Sequence, residues 1–231
     1  MSRPRHIART VRRCTAASVV LPILASVAGA QEPRTVALPN ARRSFEDSWY
    51  WGAKGGAVRF GTSTDGRVTA PLAGGEWLIT RSHSALLVSA EQAFFDRTSV
   101  VADPYTDDGT HVVSIKDARR YSAAALAAPA SYGRFRPYLG LGLALQVIRD
   151  ATPTGDFATQ AQYTFVQDRV DAGQSSVSAF LLAGAQAQVG RFALFAQAST
   201  ASAQRRSLWN MGGASQIEGG IRYNLSSAFE R

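Results

Sequence analysis

"PYLGLGLALQV", residues 137–147, places Leu139, Leu141, Leu143, Leu145 and Val147 at every second position, with Gly140, Gly142, Ala144 and Gln146 between them. Successive side chains on a β-strand point to opposite sides of the pleat, so this spacing builds an apolar ladder on one face. In a soluble sandwich the second row would face water and carry Thr, Lys, Glu or Ser. Here the second row is very small, which suits the crowded inside of a narrow closed barrel. The ladder is therefore expected to face outward, into lipid.

The same alternation recurs towards the C-terminus. In "SAFLLAGAQAQV" Leu181, Ala183, Ala185, Ala187 and Val189 share one face, opposite Gly184, Gln186 and Gln188. After a turn at Gly190 and Arg191, "FALFAQAST" sets Phe192, Leu194, Ala196 and Ala198 opposite Ala193, Phe195, Gln197 and Ser199. "SQIEGGIRYNLSSAF" puts Ile217, Ile221, Tyr223, Leu225 and Phe229 on one face and Glu218, Arg222 and Asn224 on the other. Before residue 130 the strands are less regular: "SWYWGAKGGAVRFGT", "TAPLAGGEWLIT", "SALLVSAEQAFF" and "THVVSIKDARRYSAAALAAP". Trp49, Tyr50 and Trp51 suit an interfacial aromatic girdle. Gly55 and Gly56 invite a bulge that would turn both Lys54 and Arg59 inward. The stretch from Asp150 to Ser175 reads as a long polar connection without a helical period.

Eight candidate strands with connections of alternating length predict an all-β fold, an eight-stranded antiparallel up-and-down transmembrane β-barrel over residues 48–231. Hydrocarbon cannot satisfy backbone N–H or C=O groups, so strands persist there only in a closed ring. No later stretch is long and apolar enough for a membrane helix.

The first 30 residues carry Arg3, Arg5, Arg9, Arg12 and Arg13 and no acid, then the apolar run "AASVVLPILASVAGA" ending at Ala28-Gly29-Ala30. This is the pattern of a secretory signal peptide, 1–30, cleaved before Gln31. Residues 31–47, polar and broken by proline, read as a periplasmic leader. The 231-residue chain has a formal charge of +8, with 25 basic and 17 acidic residues, but five of the arginines leave with the signal. The remaining surplus of about +3 disfavours nucleic acid as a partner. The single cysteine, Cys14, lies in the signal as well, so the exported chain folds without disulfides.

The C-terminal "GIRYNLSSAF" resembles the last strand of small outer-membrane β-barrels of Gram-negative bacteria, such as the eight-stranded domain of outer membrane protein A. The resemblance implies an outer-membrane, cell-envelope location, lipid and lipopolysaccharide as surroundings, and Tyr223 and Phe229 as an assembly signal read by the barrel-assembly machinery. Family members usually end on the aromatic residue, whereas Glu230 and Arg231 follow Phe229 here. The likeness extends over about residues 48–229 and is one of pattern.

Alternation nominates a lumen network of Lys54, Arg59, Glu76, Glu91, Lys116, Arg120, Gln146, Gln186, Gln188, Gln197, Glu218 and Arg222. Charges enclosed away from bulk water must pair, so a plug of salt bridges is expected, with a porin-like ion path as the sharper alternative. The lipid-facing set is Leu139, Leu141, Leu143, Leu145, Val147, Leu181, Leu194, Ile221, Tyr223 and Leu225. No cofactor, metal or catalytic residue is expected, since His83 and His111 have no second ligand at metal-binding spacing. His111, near Asp107, Asp108 and Ser114 at the expected outer rim, is the one credible base for a lipid A-modifying enzyme. The soluble rival is a lipocalin-like barrel, which would bury the leucine row and leave Gln186, Gln188, Glu218, Arg222 and Asn224 facing water.

Overall fold

The structure is a computed structural model that describes residues 47–64, 66–203, 207–209 and 213–227. The signal peptide, nearly all of the leader and Phe229 lie outside the described residues. Eight strands follow in order: β1 (Ser48–Phe60), β2 (Val68–Thr80), β3 (Ser84–Ala102), β4 (Thr110–Ala127), β5 (Phe135–Pro153), β6 (Ser175–Val189), β7 (Phe192–Ala201) and β8 (Ala214–Ser227). Each pairs antiparallel with its sequence neighbour, and β1 pairs with β8 to close the barrel. The closure runs from Ser48↔Ser227 to Arg59↔Ser215 with one register shift between Trp49 and Tyr50.

The leucine ladder faces out: Leu139, Leu141 and Leu143 are 61%, 65% and 62% exposed, while Ala144 and Gln146 are buried. This excludes the lipocalin arrangement, which needs the opposite orientation. Leu145, Leu181, Leu194, Ile221, Tyr223 and Leu225 are exposed as well, and the half-buried Val147 lies on the same outward row. From Leu139 to Val147 the ladder covers about 26 Å of strand, roughly 20 Å of height at a ~40° tilt. The inward row is small because neighbouring strands lie close beneath it. A Cβ on Gly142 would meet the Ala124 Cβ at 2.8 Å, and one on Gly140 the Ala125 carbonyl at 2.8 Å.

Two inward assignments fail. Arg59 is exposed and Val58 buried, because β1 pairs with β2 without any slip at Gly55 and Gly56 and the alternation runs through unbroken. Lys116 is also outward, in an ion pair with Asp96 at 3.0 Å. Here the pairing of β3 with β4 slips by one residue between Ala93↔Ala118 and Asp96↔Lys116. Asp117 sits at the slip with φ 50°, and its carboxylate accepts from Phe95 N–H at 3.2 Å and Gln92 Nε2 at 3.1 Å. Ala118 and Ile115 both face in, so the residue between them that shares Arg120's parity is turned out.

The connection after β5, expected as a polar stretch without a helical period, contains a helix, α1 (Gln160–Gln174). Thr159 caps it by accepting from Gln162 N–H at 3.2 Å, while Gln162 Oε1 accepts from Ala158 N–H at 2.9 Å. The Thr-x-x-Gln spacing is that of a capping box, a start signal visible in the sequence. The apolar period is nearly absent because Val166 and Val170, one turn apart, are the buried apolar side chains of the helix, with Phe165 partly buried against the same cluster.

Replacing Leu143 by Arg is expected to destabilise the barrel in lipid by about 2–4 kcal/mol, the cost of a cation at mid-bilayer on an outward position. Equilibrium refolding into phospholipid vesicles measures this; a water-facing leucine would tolerate the change.

Candidate functional site

Every strand sends one or more polar or ionic side chains to the middle of the lumen. Lys54 on β1 pairs with Glu91 on β3 at 2.5 Å and Glu218 on β8 at 3.1 Å, and donates to Ser89 Oγ at 3.3 Å. Arg120 on β4 reaches Glu91 at 2.9 Å and bonds to Gln216. Gln216 donates in turn to Glu91 at 2.9 Å.

A second group centres on Arg222 of β8. Its Nε meets Glu76 of β2 at 2.5 Å, and one terminal nitrogen donates to Gln186 of β6 at 2.7 Å. Its guanidinium lies 3.9 Å from the Phe195 ring centroid and 5.5 Å from that of Tyr138. Gln197 on β7 joins the two groups, donating to Glu218 at 2.6 Å while accepting from the Tyr138 hydroxyl at 2.9 Å. Three cations, Lys54, Arg120 and Arg222, thus meet three carboxylates, Glu76, Glu91 and Glu218. The balance lets charges survive where water does not reach them.

Apolar layers close both ends. Towards the short turns lie Tyr50, Leu78, Leu87, Leu126 and Leu182. Towards the long loops Val58, Phe60, Val113, Ile115 and Ile148 pack with Val166 and Val170 of α1 and with Leu208 and Trp209. Trp209 is held edge-on to Phe60 at 5.1 Å and stacked on Phe95 at 6.1 Å, and Ser99 Oγ donates to the Leu208 carbonyl at 2.8 Å. The side chains of Arg222 and Glu76 are both 0% exposed, so no water-filled path runs past them.

No family model matches the sequence, and no curated protein matches it. Among solved structures it is similar to Neisserial surface protein A (NspA), with a TM-score of 0.51 at 14% identity over 76% of this chain and 96% of that one. Looser likenesses are to Ail, the attachment invasion locus protein of Yersinia pestis (TM-score 0.42, 10% identity, 78% of this chain and 99% of that one), and to the outer membrane protein OprG from Pseudomonas aeruginosa (0.39, 10%, 79% and 98%). The chain has the fold of the small eight-stranded outer-membrane β-barrels. The likeness to NspA concerns fold alone.

Of the residues nominated for the lumen of this barrel, Lys54, Glu76, Glu91, Arg120, Gln186, Gln197, Glu218 and Arg222 are in the network. Gln146 is buried in the lumen, but no hydrogen bond among the described residues links it to the others. Gln188 lies at the short-turn end, accepting from Tyr50 at 3.4 Å and donating to the Gly190 carbonyl at 2.7 Å. Arg59 and Lys116 are outside. Tyr138 and Gln216 were missed, although Tyr138 shares the inward row of Gly140 and Gly142, and Gln216 that of Glu218.

His111 pairs with Asp103, at 3.3 Å from Nδ1, and not with Asp107 or Asp108. Ser114 sits on the outward side of β4, since His111, Val113 and Ile115 are the buried row. Phe157 stacks on the imidazole at 4.4 Å. The Ser–His–acid grouping that the enzyme alternative requires therefore does not form from these residues. Instead Asp103 is a clasp: it also accepts from Gln162 Nε2 at 2.8 Å and Tyr105 N–H at 3.0 Å, which ties α1 to the β3–β4 loop. Enclosure pushes the Asp103 pKa up, but Gln162, Tyr105 N–H and His111 outweigh it and hold the carboxyl below its ordinary range.

Replacing Glu76 by Ala strands Arg222 in the lumen and is expected to cost about 3–5 kcal/mol in unfolding free energy. The double change with Arg222→Met should recover much of that loss, a non-additivity read from urea unfolding in detergent.

A carboxyl with a depressed folded pKa stabilises its contacts above the unfolded pKa and loses them as pH falls through the folded value. Protection of the α1 amides, corrected for intrinsic exchange rates, is expected to hold at neutral pH and fall only below the usual aspartate range. Asp103→Asn should lower protection at neutral pH and flatten the dependence.

Proposed function

We propose that the protein is an integral outer-membrane barrel with a closed lumen, serving the envelope as a structural or surface-presenting element and not as an open pore. The observation that carries this reading is the inversion of polarity: leucines and isoleucines outside, three ion-paired cations and carboxylates within. In water such a surface would aggregate; in hydrocarbon it is the favoured one.

Orientation follows from the connections. Residues 81–83, 128–134 and 190–191 link strands at one end, and residues 61–67, 103–109, 154–174 and 202–213 at the other. The long set, with α1 and the Asp103 clasp, would face the cell exterior and the short set the periplasm. The β4–β5 connection is no shorter than the first two outer ones, so the asymmetry rests on the last two. In this reading residues 1–30 direct export, residues 31–47 remain periplasmic, and the barrel-assembly machinery inserts residues 48–231. Tyr223, on the outward row of the last strand, fits a role in that recognition. Lipid and lipopolysaccharide are the surroundings, and catalysis has no part.

Carbonate or urea washing of membranes is expected to leave the folded protein in the pellet until detergent is added; release of folded protein by either wash would overturn the membrane reading. Planar-bilayer recording of the purified protein is expected to show no steady conductance, whereas an open porin-like step would overturn the closed lumen.

A further inference from the structure

Arg59, turned out against expectation, lines a concavity on the outer wall of the barrel. This cleft, about 1040 Å³, spans β7, β8, β1 and β2 at their loop ends and is lined by Arg59, Arg67, Thr69, Thr200, Ser215 and Ile217, among others. Arg59 pairs in register with Thr69 on one side and Ser215 on the other, so the guanidinium stands between two outward hydroxyls. One step along the same outward row come Ala57 and its partner Ile217, which is 72% exposed. The cleft therefore has a cationic, hydroxyl-bearing top and an apolar floor continuous with the lipid-facing band.

The opposite wall differs. There Lys116 is paired with Asp96 at 3.0 Å and stands in register with Asp150. Among the described residues neither Arg59 nor Arg67 has a carboxylate within ion-pair distance. Two guanidiniums with no described carboxylate partner, standing just above an apolar surface, match a ligand that is anionic at one end and hydrocarbon at the other. Arginine binds phosphate oxygens with paired N–H donors, and hydroxyls supply the remaining hydrogen bonds.

We propose that this cleft is a binding site for one phosphorylated lipid of the outer leaflet, its phosphate held by Arg59 and Arg67 and its acyl chains lying along Ala57 and Ile217. The proposal rests on the membrane reading above. The site straddles β1 and β8, so the lipid would bridge the two strands whose pairing closes the ring.

The test uses the full exported chain in non-ionic detergent, titrated with diphosphoryl lipid A and followed by native mass spectrometry. A basic residue at an anionic lipid surface contributes about fivefold in affinity, so Arg59→Gln with Arg67→Gln is expected to weaken binding about twenty-fivefold. Dephosphorylated lipid A should bind the unmodified protein as weakly as diphosphoryl lipid A binds this variant. Lys116→Gln with Arg149→Gln, exposed on β4 and β5 of the opposite wall and outside the cleft, should leave binding unchanged. All four substituted residues are exposed, and folding of each variant is checked by the heat-dependent gel shift of closed barrels.

Equal binding by the Arg59/Arg67 variant, equal loss in the Lys116/Arg149 variant, or equal binding of the dephosphorylated lipid would each overturn the site. Carbonate resistance of the Arg59/Arg67 variant separates the two readings. Its persistence alongside lost lipid binding supports the site, while extraction of the unmodified protein would sink the membrane reading itself.

Discussion

A strand in hydrocarbon has no water to take up its unpaired N–H and C=O groups, so the pairing of β1 with β8 is the constraint on which the rest depends. Once the ring closes, every strand has two partners and no edge is left. Closure also fixes what each residue faces. With eight strands the interior is just wide enough for side chains, so glycine and alanine must alternate with the few large groups admitted.

Those large groups solve an electrostatic problem together. A lone arginine at the position of Arg222 would be untenable, yet Glu76, Gln186, Gln197 and Tyr138 converge on it from β2, β6, β7 and β5. Lys54 and Arg120 share Glu91 in the same way, and Gln197 links the two groups through Glu218. Because all eight strands contribute, the network ties the cylinder across its diameter as the backbone ladder ties it around its circumference. Removing one member leaves its partners charged and dry, so the network acts as a unit.

The loop end is built differently. There apolar packing of α1, Leu208 and Trp209 on the inner wall replaces ionic pairing, and the Asp103 carboxylate joins helix, loop and His111. A barrel sealed by salt bridges in the middle and by side-chain packing above presents its outer loops on a rigid base.

Period two made most of this legible in the sequence. Wherever alternation ran unbroken, as from Leu139 to Val147 and from Ile217 to Leu225, it set both the outward row and the enclosed residues, because a strand has only two sides. Arg59 and Lys116 show where that logic stops: the bulge expected at Gly55 and Gly56 is absent, and a slip at Asp117 is present. Shifting a register by one residue exchanges the two faces, and a slip depends on the partner strand, which one-dimensional spacing does not contain. Which carboxylate meets which cation, and that His111 finds Asp103 and not its nearer acids, were likewise decided only in the tertiary structure. These pairings join residues far apart in the chain through the stagger of a closed sheet, whereas the sequence by itself determined which side of each regular strand could bear lipid.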